Sequence, residues 1–294
     1  MKRQTAFAAA VLLAAPLALA EPVRFGLDAE YTYDDNASRG LYDADRKADN
    51  VFALEGSLTG SLPLGSRGGL VYRAAARYNY FNTFQDLSNV ALSGRAAYRI
   101  QPGTSFSSPF FEAAANLVWL SHSDSTLRDG TVTSLEASIG SHLTDRVRLS
   151  GGMGVDERSG GDPGRPGEVA IYNMTNTRLW ATLDYRFGVR NVAYARFMQV
   201  NGDQVFNSVT TTIPISSAWA TDPALAKELG GVVNSYRVDS TTFVYDLGVN
   251  IPLSGNRAID ILASSYSSRA NEGPYTGQKY NGLLLRAAYL YRFQ

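Results

Sequence analysis

The chain has 294 residues and no cysteine, and its 27 basic side chains balance its 27 acidic ones. The absence of cysteine excludes a disulfide framework, a thiolate metal site and a lipoprotein anchor. No concentrated basic segment favours nucleic-acid binding, so nucleic acid is not an expected partner.

The first predicted element is a targeting segment. Lys2 and Arg3 precede an uncharged apolar run that ends in the small-residue motif Ala18-Leu19-Ala20. This order is typical of a secretory signal peptide with a cleavage site directly after the motif. Residues 1–20 are therefore predicted to be removed, and residues 21–294 to form one outer-membrane β-barrel domain.

The rest of the chain alternates apolar and polar residues over twelve segments. In the first segment, Phe25, Leu27 and Tyr31 share one face, and Asp28 and Glu30 share the other. Alternation with a period of two predicts strands with one apolar face and one wet face. The predicted strands are 23–33, 50–62, 69–81, 89–100, 109–120, 131–143, 147–156, 174–187, 192–200, 240–252, 258–268 and 283–293. The ninth is ambiguous, because its apolar residues do not fall on one face.

A membrane-spanning helix is not predicted, because no segment after the signal peptide approaches the necessary length of about 18 consecutive apolar residues. In lipid every backbone N–H and C=O needs a partner, so only helices and closed barrels can span the membrane. The 17 tyrosines and 13 phenylalanines suit the aromatic girdles of such barrels. The sequence predicts an all-β fold, a closed antiparallel up-and-down transmembrane β-barrel of twelve strands in the bacterial outer membrane.

The connections alternate in length, which supports this topology. After even-numbered strands they are brief and carry turn residues, as at 63–68, 101–108, 144–146, 188–191 and 253–257. After odd-numbered strands most are longer, as at 34–49, 121–130, 157–171, 201–239 and 269–279. Outer-membrane barrels have short periplasmic turns and long outer loops. Both termini are therefore predicted to lie in the periplasm, and the strand number to be even.

The segment 201–239 is predicted to be one long outer loop that folds over or into the mouth of the barrel. Asp222, Pro223 and the glycines after Leu229 signal a short helix with an N-cap, a proline at its first position and a glycine stop. Extra strands within this segment would raise the count to fourteen, which is the alternative.

Two stretches resemble known outer-membrane proteins. Glu30-Tyr31-Thr32-Tyr33-Asp34-Asp35-Asn36 resembles the first-strand exit of uncharacterised porins and the barrel half of the surface lipoprotein assembly modifiers. The alternation that ends in Phe293, followed by Gln294, resembles the aromatic-ended signal read by the barrel-assembly machinery. The resemblance to the porin-like superfamily implies a membrane-embedded barrel, with outer-membrane lipid and the assembly machinery as partners.

Charged residues on the predicted inner face are the candidate site. Arg73, Arg77, Arg95 and Arg99 lie on strands three and four, and the predicted hairpin brings Arg73 near Arg99 and Arg77 near Arg95. Like charges opposed across strands need compensating acids or an anionic ligand. The other candidates that line the lumen are Glu55, Glu112, Glu136, Arg178, Asp184, Asp246 and Asp260. This wall either creates a field that orients polar solutes and favours anions, or fills the lumen with satisfied salt bridges.

Neither a metal site, a cofactor site nor a catalytic residue is predicted. The acidic residues of 34–49 lack an ordered calcium-binding pattern, and a solvated acidic loop is expected. His122 with Asp124 at the rim lacks a matching nucleophile and orienting group.

The leading functional hypothesis is passive diffusion of small polar or anionic solutes. A docking barrel whose outer loops bind a partner is the alternative, and a rim hydrolase is the third hypothesis. The sequence leaves the identity of the solute and the oligomeric state open.

Overall fold

The computed structural model describes residues 23–163, 167–209, 218–271 and 276–293; the predicted signal peptide lies outside them, as does Gln294. The elements in chain order are β1 (Arg24–Asp34), β2 (Asp49–Pro63), β3 (Gly68–Phe81), β4 (Asn89–Ile100), β5 (Phe110–His122), β6 (Gly130–His142), β7 (Val147–Gly160), β8 (Met174–Phe187), β9 (Asn191–Ser208), β10 (Ala218–Thr221), α1 (Pro223–Leu229), β11 (Asn234–Ser254), β12 (Arg257–Ala270) and β13 (Lys279–Arg292). Short 3-10 turns occupy Asp43–Asp45 and Gln85–Leu87.

The strands form one closed antiparallel ring. Each strand from β1 to β8 pairs with the next one, β9 pairs with β11, and β11 to β13 continue the series. The short β10 lies outside the ring as an extra edge on β11. The ring closes where β1 pairs with β13, from Gly26 opposite Arg292 to Asp34 opposite Leu284, and where β9 pairs with β11. Twelve strands therefore form the barrel, and the predicted fold is confirmed.

Large apolar side chains cover the outside of the ring. Leu54, Leu135 and Leu247, on three different strands, expose 54%, 62% and 66% of their surface. Soluble monomers rarely expose continuous apolar patches of this kind, whereas a membrane barrel needs an outward apolar band. Among the described helices, none is long and apolar enough to cross a membrane.

The two ends of the barrel differ. Turns of two to nine residues follow β2, β4, β6, β8 and β11, and both described chain ends lie at this end. The connections at the other end have at least seven residues, and three of them have more than ten; they are 35–48, 82–88, 123–129, 161–173, 209–233 and 271–278. We call this end the outer mouth. The alternation of connection lengths agrees with the predicted topology.

The region around 201–239 differs from the prediction. Its first and last residues are strand, because β9 and β11 remain paired up to Ser208 opposite Asn234 and form a tall hairpin. From Asn234 to Asp239, towards the outer mouth, β11 is no longer paired with β12. The four-residue β10 pairs with β11 there instead. The single long loop is thus shorter than expected. The fourteen-strand alternative is wrong, because β10 pairs only with β11.

The ambiguity of the ninth predicted strand has a structural cause. Tyr194 and Arg196 of β9 bond to acidic residues inside the barrel, and Met198 shares their face. Tyr194 lies over Gly248 of β11, where a Cβ atom would come within 2.4 Å of its hydroxyl oxygen. The inner face of this strand therefore carries large side chains, which hides the alternation.

The register predicts a sharp difference between neighbouring positions of β4. Leu92 faces outward, and Ser93 lies on the inner face. An arginine on the lipid face costs about 2–4 kcal/mol near the bilayer midplane and less towards the interfaces. Leu92→Arg should therefore lower the free energy of unfolding in lipid and the yield of assembled barrel, and Leu54→Arg should do so more strongly.

Ser93→Arg is the matched control, because it adds the same side chain one residue away. It should assemble nearly as well as the native protein, as measured by heat-modifiable migration in gels and by unfolding in liposomes. Equal loss at positions 92 and 93 would show that the assigned faces are wrong.

Candidate functional site

On the inner faces of β4 and β5, two arginines form ion pairs with one glutamate. Arg95 Nη2 lies 2.7 Å from Glu112 Oε1, and Arg99 Nη2 lies 2.6 Å from Glu112 Oε2. Arg95 also lies 3.9 Å from Glu136 on β6. Glu112 therefore compensates much of the repulsion that two neighbouring guanidiniums would otherwise create.

A second group of charges extends from β1 to β3. Arg77 Nη2 donates to Glu30 Oε1 at 2.7 Å across β2, and Arg73 donates to Glu55. Arg77 also lies 3.9 Å from Glu55. Each of these arginines is held by an acid on another strand.

The pairing of the arginine wall differs from the prediction. Arg73 lies opposite Arg95, Arg77 lies opposite Ala91, and Arg99 lies opposite Gly69. The expected neighbours, Arg73 with Arg99 and Arg77 with Arg95, are therefore wrong by four residues along β4. The β3–β4 ladder begins at Asn79 opposite Asn89. The connection between the two strands carries the buried residue Leu87.

The remaining predicted residues also form ion pairs. Arg178 bridges Glu136 at 3.5 Å and Asp156 at 3.0 Å, and Asp184 lies 3.4 Å from Arg148. These five residues connect β6, β7 and β8.

On the opposite side of the ring, Asp246 accepts from Arg196 Nε at 2.7 Å. Asp260 accepts from Arg286 Nη2 at 2.9 Å and from the Tyr194 hydroxyl at 3.0 Å. Asp246 is 3% exposed, so Arg196 is the accessible member of its pair.

Several partners were absent from the predicted set. They are Asp28, Glu30, Arg148, Asp156, Tyr194, Arg196, Arg286 and Arg292. Most of them occupy inner positions of clearly alternating strands, so the alternation could have identified them. Tyr194 and Arg196 could not be identified in this way, because β9 carries large side chains on both faces.

Most of the ion pairs inside the barrel are asymmetric in their exposure, although Arg178 and Asp156 are equally exposed. The Arg99 side chain is 49% exposed and that of its acid Glu112 is 12% exposed; the values for Arg73 and Glu55 are 38% and 14%. A glutamate is shorter than an arginine and remains close to the wall, while the guanidinium reaches towards the barrel axis. The charge that faces the interior is therefore mainly cationic, although the acids balance it formally.

The connection between β9 and β11 crosses the outer mouth. Its helix α1 packs against Ala37 after β1 and Phe84 after β3. Its Asp222 accepts from Arg128 after β5 and from Tyr172 after β7. Since these strands stand at different points of the ring, a segment that touches all four connections spans the mouth. We call this segment and the connections that it contacts the cap.

Helix α1 forms as its sequence predicts. The Asp222 carboxylate accepts from the Ala224 backbone N–H at 3.1 Å, Pro223 opens the helix, and Gly230 ends it with a φ of 76°. That left-handed conformation suits glycine, which has no Cβ.

Asp222 also joins the β9–β11 segment to two other connections of the cap. It is fully buried, and it accepts from Arg128 Nε at 2.8 Å and from the Tyr172 hydroxyl at 3.1 Å, while Arg128 Nη2 lies 2.7 Å from it. Burial lowers the pKa of Arg128, but the charge and hydrogen bond of Asp222 outweigh it, so the pKa is raised overall. Burial likewise raises the pKa of Tyr172. The guanidinium stays charged and the phenol neutral at any physiological pH.

The acidic connection after β1 is only in part the solvated loop that was expected, since Asp43 is exposed but three other aspartates are not. Asp34, Asp45 and Asp49 are buried. Asp49 accepts from the backbone N–H groups of Thr83 and Phe84 at 2.8 and 2.9 Å, so it satisfies donors of the next outer connection. In the described part of the chain, no group of three acidic or histidine residues could hold a metal ion.

The rim histidine has a different neighbour from the predicted one. His122 Nδ1 lies 3.4 Å from Asp129 Oδ1 rather than close to Asp124. Asp129 also accepts from the His122 backbone N–H at 2.6 Å, which shapes the turn. The Asp129 carboxylate therefore stabilises the turn after β5.

No family model matches the chain, and no curated protein does. Solved structures do match its fold. An outer membrane channel from Pseudomonas putida F1 superimposes with a TM-score of 0.58 at 11% identity, over 95% of this chain and 99% of that one. The TodX monoaromatic hydrocarbon channel, in a deltaS2 mutant, gives 0.45 at 8% identity over 92% and 90%. KdgM porin in complex with disordered oligogalacturonate gives 0.44 at 8% over 92% and 99%. The shared feature is the fold, an outer-membrane β-barrel as predicted.

Asp222→Asn tests the hold of the cap. Asparagine caps a helix as well as aspartate does, so the change removes chiefly the charge. Leaving Arg128 buried without its acid should cost about 3–5 kcal/mol of local stability. The amides of 218–233 should then exchange hydrogen much faster, while amides of the barrel strands stay protected.

Lys227→Gln, on the exposed side of the same helix, is the control and should leave exchange unchanged. Native-like protection of 218–233 in Asp222→Asn would mean that the cap is held by its apolar contacts alone.

Proposed function

We propose that this protein is a porin-like channel for passive diffusion of small polar solutes across the outer membrane, with a preference for anions. The fold is that of an outer-membrane channel, and the apolar belt fits the lipid core. The observation that carries the preference is the exposure of the lumen arginines over their acids. A solute in the lumen meets guanidiniums first, and a low-dielectric wall focuses their field.

The ion pairs set the width and the chemistry of the path. Arginines held by wall acids keep a fixed geometry, so an anion gains attraction without reorganising the wall. Solutes that present carboxylate or phosphate oxygens match the planar fork of the guanidinium group. An apolar solute gains nothing from this lining.

The cap favours a second candidate function. Its packed outer connections present a defined surface, which suits a docking barrel that binds a partner at its loops. The two candidates differ in one measurable property, because a docking barrel need not conduct.

The membrane partner and the assembly route belong to the same proposal. Phe293 follows β13, and its N–H donates to Phe25 O at 2.9 Å, so the last strand is paired to its end. An exposed aromatic at this position suits recognition of β13 by the barrel-assembly machinery before the ring closes.

Planar-bilayer conductance of the refolded protein tests the channel. The wild type should conduct, with a reversal potential that shows preference for chloride over potassium. Arg77→Gln combined with Arg95→Gln should shift selectivity towards cations, because it removes two exposed guanidiniums and uncovers acids. Those acids keep other partners: Glu112 retains Arg99, Glu30 retains Arg286 and Glu55 retains Arg73. The double variant should therefore still fold.

The matched control is Arg190→Gln, in the exposed turn after β8 at the end of the barrel opposite the outer mouth. Raising salt should weaken the selectivity of the wild type, since screening acts over about 10 Å at 0.1 M. A folded wild type that never conducts would refute the channel and favour the docking barrel.

A further inference from the structure

A cavity of about 190 Å³ lies at the outer end of the barrel interior. Its walls are the outer ends of β7, β8 and β9, and residues of the cap complete it. Three arginines line it: Arg39, Arg128 and Arg158. Cavities of about 150 Å³ hold a molecule of the size of benzene, so this one has room for a small organic ligand.

Two of the three arginines are neutralised by acids. Arg39 Nη2 lies 3.1 Å from Asp34, and Arg128 Nη2 lies 2.7 Å from Asp222. Both acids are buried; Asp34 ends β1, and Asp222 belongs to the cap. These two arginines are therefore structural as well as cavity-lining.

Arg158 differs from them. Within the described residues, no carboxylate lies within 4.0 Å of its side chain, and its buried Nε has no hydrogen-bond partner. Its Nη2 donates to the Arg128 carbonyl at 2.8 Å, and its guanidinium lies 4.6 Å from the centre of the Tyr172 ring. Leaving a buried charged donor unsatisfied is costly, and two neighbouring arginines repel each other.

The other polar groups of the cavity do not cancel this charge by contact. Asp203 lines it, but its Oδ2 accepts from the Thr175 backbone N–H at 3.1 Å. Asn176 also lines it, and its buried Oδ1 has no partner among the described residues. The cavity thus offers a cationic donor and an amide oxygen without partners among the described residues, beside the apolar side chains of Met174 and Val205.

We propose that this cavity binds a small organic carboxylate, whose oxygens accept from Arg158 and whose carbon part lies against Met174 and Val205. A carboxylate satisfies the unpaired donor and compensates the Arg128–Arg158 repulsion. The amide of Asn176 is available to a hydroxyl on the same ligand. This site deepens the proposed function, because it is a binding position for an anionic solute directly below the cap.

Calorimetric titration of the detergent-refolded protein with propionate at neutral pH tests the site. The wild type should bind propionate and gain thermal stability from it, and the neutral isostere propionamide should do neither. Arg158→Gln should weaken propionate binding at least tenfold. Arg190→Gln, which removes an arginine from an exposed turn, should bind as the wild type does.

Stability separates a ligand-binding arginine from a structural one. Without ligand, Arg158→Gln should melt close to the wild-type temperature. It relieves the Arg128–Arg158 repulsion and breaks no ion pair among the described residues, which offsets the lost hydrogen bond to the Arg128 carbonyl. Asn176→Asp is a second variant that places a carboxylate inside the cavity, and it should also abolish propionate binding. Binding that is absent in the wild type, or equal in Arg158→Gln, would overturn the proposal.

The outcome is independent of conductance. A protein that conducts anions but binds no propionate keeps the proposed channel and loses this site. A protein that binds propionate through Arg158 but never conducts keeps the site and loses the channel.

Discussion

Closure of the hydrogen-bonded ring is the constraint on which the rest of the structure depends. An open sheet edge in hydrocarbon would leave unpaired N–H and C=O groups at a cost of several kcal/mol each. Here β1 pairs with β13 and β9 pairs with β11, so no barrel strand keeps a free edge within the wall. Because a strand shows its side chains alternately on two faces, closure also sends every second side chain inward. Since the backbone lies in the barrel wall, the inward side chains determine what occupies the interior.

Polar and charged side chains line that interior, and their different lengths place the acids near the wall and the guanidiniums closer to the barrel axis. Glu55 and Glu112 stay at the wall, while Arg73 and Arg99 extend from it. The sum of charges would suggest a neutral lumen, yet a passing solute responds to the groups that it can reach. Salt-bridged interiors can therefore hold a barrel together and still present one sign of charge. The field hypothesis and the salt-bridge hypothesis for the arginine wall rest on the same ion pairs. The exposure of the arginines relative to their acids determines which charge a solute meets.

The cap is a second packed unit, and its order comes from buried polar groups as much as from apolar ones. Asn207 donates from its Nδ2 to Ser38 O at 2.6 Å, and Gly40 lies so close to the backbone of Asp45 that a Cβ would clash. Asp222 gathers an arginine, a tyrosine and a helix N-terminus around one carboxylate. Such networks are favourable only when nearly every member has a partner. Of the three arginines around the cavity, Arg158 is the one without an acid partner among the described residues.

The sequence by itself determined the elements whose signals are local. Alternation located twelve strands, and the Asp222-Pro223 start and Gly230 stop located α1, because these patterns depend on neighbours within one element. Alternation also indicated which charges turn inward. Only the tertiary structure decided which charges meet: the β3–β4 register places Arg73 opposite Arg95, and the length of the β9–β11 hairpin follows from continued pairing. The burial of Asp45 and Asp49, and the lack of an acid partner for Arg158 among the described residues, arise where separate connections converge, and no single segment carries that information.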